Sequence, residues 1–177
     1  MSHQNENPAK IFILGVGAQK AGTTWLAHYL RDAGNVNGGV LKEYHIWDAL
    51  TLPMCGNYRV PPDKRFSGKR AAIRFVLQDD PARYFSYFSD LLLAPGKSVT
   101  FDITPTYAGL SSETFARISA GFRDKGIVAR PVFLMRDPVE RCWSAARMMH
   151  QKYHPDHPAR RRPALCPFSG KRHAHEI

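Results

Sequence analysis

Residues Lys10 to Leu26 read KIFILGVGAQKAGTTWL, and this stretch decides the fold. Lys10 to Val16 is a short apolar run, rich in β-formers and punctuated by glycine, which predicts a buried strand. Gly15 to Gly22 forms a loop. Thr23 to Asp32 (TTWLAHYLRD) then has helical spacing, with Trp25, Leu26, Tyr29 and Leu30 on one face and Gly34 as its stop. Backbone N–H groups at a helix N-terminus, approached through small residues, make a site for an anion. Lys20 adds a positive charge to that loop, and Thr23 and Thr24 add hydroxyl donors. The plainer alternative is a glycine-rich turn that merely joins strand to helix.

The rest of the chain repeats the alternation. Val36 to Leu41 is a weaker strand candidate, and KEYHIWDAL after it reads as a loop entering a helix. Residues 53–70 hold Pro53, Pro61, Pro62, Gly56, Gly68 and five basic groups, the mark of an irregular, exposed stretch. Asp80-Pro81 opens a helix continuing from Ala82 to Leu93. Val99 to Ile103 (VTFDI) is a strand. Ser111 or Ser112 caps a helix running to Lys125, with Gly126 behind it. Arg130 to Met135 (RPVFLM) reads as another buried strand, and Asp137-Pro138 opens a helix reaching about Met149. Strands alternating with helices predict an α/β fold with a central parallel sheet and helices on both faces.

Composition bounds the function. A length of 177 residues suits one domain, and 44% hydrophobic with 23% charged residues argues against a disordered chain. The apolar run near the start, Ile11 to Val16, falls short of the roughly 18–20 residues of a membrane helix and of a secretory core. No membrane span is expected, and the expected compartment is the cytoplasm. Cys55, Cys142 and Cys166 form neither a CxxC pair nor a disulfide framework. The net charge of +10 favours anionic ligands, but from His150 onward six Lys/Arg stand against two acids, with five of the eight histidines. No metal site is assigned to those histidines. Binding of nucleic acid by that tail would rest on charge alone.

The glycine loop departs from the P-loop pattern G-x-x-x-x-G-K-[ST] in an informative way. Gly17 and Gly22 keep the spacing, but Thr23 stands where the lysine belongs and Lys20 lies within the loop. That suits a shorter anionic group bound without a metal. A second constellation is LMRDPVERCWSAAR, Leu134 to Arg147. Arg136 follows a strand at its carboxyl end, the ligand side of such sheets, and Ser144 lies two helical turns into the next helix. An arginine with a hydroxyl can clamp a phosphate. A third is LKEYHIWD, Leu41 to Asp48, where Lys42 and Glu43 would on their own read as a solvated surface pair.

Together these motifs resemble the sulfotransferases that use 3′-phosphoadenosine 5′-phosphosulfate (PAPS). QKAGTTWL resembles their 5′-phosphosulfate loop, with Gln19 at a position usually held by another residue. RDPVERCWS resembles their 3′-phosphate motif. LKEYHIWD resembles the K-E-x-H segment of the carbohydrate and heparan-type members. The resemblance covers roughly Lys10 to His150. It implies a P-loop-like three-layer α/β/α domain over 10–152, between a disordered start (1–9) and an irregular basic tail (153–177). It implies that Gln19, Lys20, Ala21, Gly22, Thr23, Thr24 and Trp25, with Arg136 and Ser144, hold PAPS and its product adenosine 3′,5′-bisphosphate, with no metal. Lys20 would stabilise the leaving 5′-phosphate, and Lys42 would sit near the sulfuryl oxygens. The base would be Glu43 or His45; the carbohydrate-type match favours Glu43.

The acceptor would be a hydroxyl or amine on a carbohydrate or small molecule. Asp102 to Tyr107 (DITPTY) resembles the family's E-K-[ST]-P-x-Y segment, but Ile103 stands where the lysine would be, so no role is transferred there. Family members are usually longer, so a C-terminally truncated domain is expected. Two other readings stay open: a catalytically silent nucleotide-binding fragment, and a P-loop small-molecule kinase.

Overall fold

The computed structural model describes residues 9–154; the polar start, and the basic tail with Cys166 beyond residue 154, lie outside them. Three parallel strands form the sheet: β1 (Ile11–Gly17), β2 (Val99–Ile103) and β3 (Val128–Phe133), in the order β2-β1-β3. Ile13 pairs with Phe101 on one side and Arg130 on the other. Among the described residues six helices accompany them: α1 (Thr23–Asp32), α2 (Trp47–Thr51), α3 (Lys69–Asp79), α4 (Pro81–Leu91), α5 (Ser112–Arg123) and α6 (Pro138–Tyr153). Short 3-10 turns span Pro53–Tyr58, Pro62–Lys64 and Pro105–Gly109.

Alternation along β1 divides the core. Phe12, Leu14 and Val16 join the larger cluster, with Tyr84 and Phe88 of α4 and Ile118 and Phe122 of α5. Ile13 packs into a second cluster with Ala27, Leu26 and Leu30 of α1 and Phe101 and Ile103 of β2. Period-two side chains therefore put helices on both faces of the sheet. The larger cluster is aromatic: Phe12 stacks on Phe122 at 3.9 Å and meets Phe88 edge-on at 4.8 Å. Such pairs add about 0.5–1.5 kcal/mol each beyond burial. The helix starts carry their own signals. Asp80 accepts from the Ala82 N–H at 2.9 Å ahead of Pro81, and Asp137 accepts from the Glu140 N–H at 2.9 Å ahead of Pro138. Of the two candidate caps of α5, Ser111 is the one used, accepting from Thr114 N–H at 3.3 Å.

Three expectations need correcting. Val36 to Leu41 is not a strand: only Val36 bridges to Val99, and a side chain at Gly38 would meet the Phe101 ring at 2.3 Å, so the chain passes there as glycine coil. Helix α3 begins at Lys69, inside the stretch read as irregular, behind a Gly68 that offers no side-chain cap. The last strand is not buried and starts two residues earlier, at Val128, whose N–H bonds Lys10 carbonyl. It is one of the sheet's two edge strands, and Phe133 is 53% exposed. Helix α6 follows it with no buried residue. Few buried contacts mean a low free energy of local opening. Amide exchange is therefore expected to be faster across Pro138–Tyr153 than across Ser112–Arg123, and equal protection of the two helices would contradict this.

No helix among the described residues is long and apolar enough to cross a membrane.

Candidate functional site

The carboxyl ends of the strands open onto a cleft of about 420 Å³. The loop after β1 forms its floor. Gly22 caps α1 in the left-handed region, φ 98, and no side chain caps that end, so the first N–H groups of α1 stay available. That φ favours glycine, which also leaves the approach to those groups open. Gln19, Lys20, Thr23 and Thr24 line the cleft beside it.

The segment between α1 and α2 supplies the second wall. Lys42 Nζ donates to Thr23 Oγ1 at 3.1 Å and to Glu43 Oε1 at 2.6 Å. One ammonium thus ties the loop to the carboxylate. Glu43 Oε2 lies 3.3 Å from His45 Nε2, and His45 Nδ1 lies 2.7 Å from Asp48 Oδ2. The Thr106 hydroxyl also donates to Asp48 Oδ2. The result is a chain, Glu43–His45–Asp48, that runs from the cleft inward. Exposure grades along it: 36% for the Glu43 side chain, 4% for His45, and none for Asp48.

Charges follow from those contacts. Burial works against ionising Glu43, but hydrogen bonds from His45 and Lys42, with the Lys42 charge, outweigh it and hold the carboxyl at about 2. Burial likewise opposes charging His45, and its hydrogen bonds to Asp48 and Glu43 overcome this and raise it above 6.5. Behind them, Asp102 is fully buried. Its Oδ1 accepts from Tyr44 N–H (3.3 Å) and Thr104 (2.6 Å), and its Oδ2 from Tyr84 (3.0 Å) and Tyr107 (2.8 Å). Asp102 is thus the post on which the Lys42–Ile46 segment hangs, by the Tyr44 N–H directly and by the Ile46 N–H through the Tyr107 hydroxyl.

The third wall comes from the chain after β3. Arg136 and Ser144 both line the cleft. The Arg136 guanidinium donates to the Lys20 carbonyl at 3.1 Å and to Glu140 at 3.1 Å, which pins the glycine loop from outside. Of the residues singled out in the sequence, Gln19, Lys20, Gly22, Thr23, Thr24, Lys42, Glu43, His45, Arg136 and Ser144 therefore meet in one cleft. Ala21 and Trp25 do not line it. Trp25 is 66% exposed and stacks on Tyr29 of its own helix at 5.3 Å.

Asp48, Tyr58, Thr106 and Met148 were not foreseen as site residues. Asp48 sat within the third motif, three residues after His45, and that spacing was its one available signal. No protein-family model, curated protein or solved structure matches the chain.

Proposed function

We propose that the chain is a sulfotransferase of P-loop-like α/β/α architecture, moving a sulfuryl group from PAPS to a hydroxyl or amine of a carbohydrate or small-molecule acceptor. One observation carries this reading: three motifs, the outer two linked by an Arg136–Lys20 contact across 116 residues, converge on a single cleft that holds anion donors on every wall and a carboxylate beside Lys42. The donors are of the right kind. Lys20, Lys42 and Arg136 offer charge, Thr23, Thr24 and Ser144 offer hydroxyls, and the α1 N-terminus offers N–H groups.

When bound, PAPS supplies the sulfuryl group. Lys20 and the α1 N–H groups hold the 5′-phosphate, whose bridging oxygen takes up negative charge as its bond to sulfur breaks. Arg136 and Ser144 hold the 3′-phosphate. Glu43 accepts the proton from the acceptor oxygen or nitrogen as that atom bonds to sulfur. Glu43 is favoured over His45 because it is the exposed end of the relay; His45 stands behind it and steadies its second oxygen. Lys42 reaches both Thr23 and Glu43, so it stands between leaving group and base. A Lys42 drawn toward the sulfuryl oxygens releases Glu43 and makes it a stronger base when the proton must move.

Calorimetry of the full chain with adenosine 3′,5′-bisphosphate, without Mg²⁺, tests the donor site. Lys20→Ala and Arg136→Ala are each expected to weaken binding roughly ten- to hundredfold, the loss of a charged hydrogen bond. Folded wild type that binds nothing, or binds only with Mg²⁺ and ATP, would overturn the reading, the second result in favour of a kinase. A second reading, a silent nucleotide binder, is favoured by one observation: α6, which carries Ser144, buries none of its residues. Binding without transfer from PAPS to any acceptor would select it.

A further inference from the structure

His45 has φ 54, in the left-handed region that residues other than glycine seldom occupy. Such a conformation persists where the surroundings fix it. Helix α3 does much of the fixing. Arg74 Nη2 donates to the Glu43 carbonyl at 2.9 Å, and Gln78 Nε2 donates to the His45 carbonyl at 2.7 Å. Residues four apart share a helix face, so α3 presents both donors to one segment. Gln78, buried, also donates to the Tyr58 carbonyl at 3.1 Å and accepts from the Val60 N–H at 2.9 Å. It thereby fastens the Tyr58–Val60 chain beside His45. The Tyr58 ring then lies flat on the imidazole, centroids 3.7 Å apart and planes 9° apart.

We propose that Gln78 and Tyr58 are positioning residues, a clamp that holds His45 with Nε2 presented to Glu43 and Nδ1 to Asp48. Gln78 fixes the backbone and Tyr58 fixes the ring plane. Without them the residue relaxes toward ordinary φ, the ring leaves the line between the two carboxylates, and Glu43 loses its rear hydrogen bond. The charged and titratable groups facing the imidazole are Glu43 and Asp48 from its own segment, Arg74 from α3, and Tyr58. The effect on rate rests on the sulfuryl-transfer reading; the clamp itself rests on these contacts.

The test uses the full chain with ¹⁵N-labelled histidine, the His45 signal being assigned by its loss in His45→Gln. Gln78→Leu, Tyr58→Leu and Tyr58→Phe are compared with wild type for His45 tautomer and titration. In both leucine variants the midpoint is expected to fall toward the ordinary histidine value as the carboxylate partners are lost. Tyr58→Phe, which keeps the flat ring, is expected to restore the wild-type tautomer. In transfer assays the leucine variants are expected to lose about tenfold in kcat with little change in acceptor KM, a placement effect. A His45 titration unchanged in folded Tyr58→Leu overturns the clamp, even if Gln78→Leu fails to fold. Wild type that transfers no sulfuryl group defeats the functional reading instead, and the titration still decides the clamp.

Discussion

Glu43→Gln is expected to lower kcat for sulfuryl transfer by about 10²- to 10⁴-fold, the range for removal of a general base. Affinity for adenosine 3′,5′-bisphosphate is expected to stay within about threefold, since that ligand carries no proton for Glu43 to take. The separation follows from geometry. Among the described residues Glu43 is the one carboxylate in the cleft lining, and it hydrogen-bonds Lys42 and His45. Glutamine keeps the size and can still accept from Lys42, so the fold is spared while the base is lost. Single-turnover transfer beside calorimetry would measure both quantities. A kcat within a factor of about three of wild type would remove Glu43 from the chemistry.

Asp102→Ala is expected to destabilise the fold by about 3–5 kcal/mol, measured by urea unfolding. It would leave the hydroxyls of Thr104, Tyr84 and Tyr107 without their acceptor, while the Tyr44 N–H keeps Thr104 Oγ1 at 3.1 Å. Each orphaned buried donor costs about 1–3 kcal/mol, and the costs do not simply add. A loss under about 1 kcal/mol would mean that the three hydroxyls find other partners.

The same residue sets a pH dependence. Burial raises the Asp102 carboxyl from 3.8 to about 6, although its four donors pull the other way. The folded state then holds this proton more tightly than the unfolded chain. Its contribution is fully present below 3.8 and is lost as pH rises through about 6. Glu43, shifted from 4.5 to about 2, has the opposite sign: its contribution is present above 4.5 and lost as pH falls through about 2. His45, raised from 6.5, contributes below that value and loses it as pH climbs through the raised one. The melting temperature is therefore expected to be higher near pH 5 than near pH 8. Asp102→Asn should flatten the early part of the decline. A melting temperature that rises steadily to about pH 8 would contradict these assignments.

Much of this was legible in the sequence where local signals are strong. The strand before the glycine loop, the helix over Thr23–Asp32 and the strand over Val99–Ile103 stand where apolar spacing and glycine stops put them. The convergence of the loop, the Lys42–Glu43 segment and Arg136 with Ser144 also agrees with the motifs. What was not legible depends on tertiary placement. RPVFLM looks buried by composition, yet Phe133 is 53% and Met135 87% exposed, whereas the other edge strand, Val99–Ile103, is largely buried. Helix α3 lacks a capping residue and mixes charge with apolar side chains, so no boundary announced it. Gln78 and Tyr58 reach His45 from segments whose sequences carry no motif; only packing reveals them. Trp25 belongs to the loop motif by sequence but faces away from the cleft in the fold.

The bare helix after β3 has a thermodynamic consequence. Two walls of the cleft are anchored in the aromatic core, while the third is carried by Arg136 and by a helix in which no residue is fully buried. On the proposed function, docking of that helix and capture of a doubly phosphorylated ligand would form a single equilibrium. The affinity observed is the intrinsic affinity multiplied by the fraction of molecules in which the helix is already in place. On the proposed sulfuryl-transfer reading, spent nucleotide would depart whenever the helix lifts, with no separate gate.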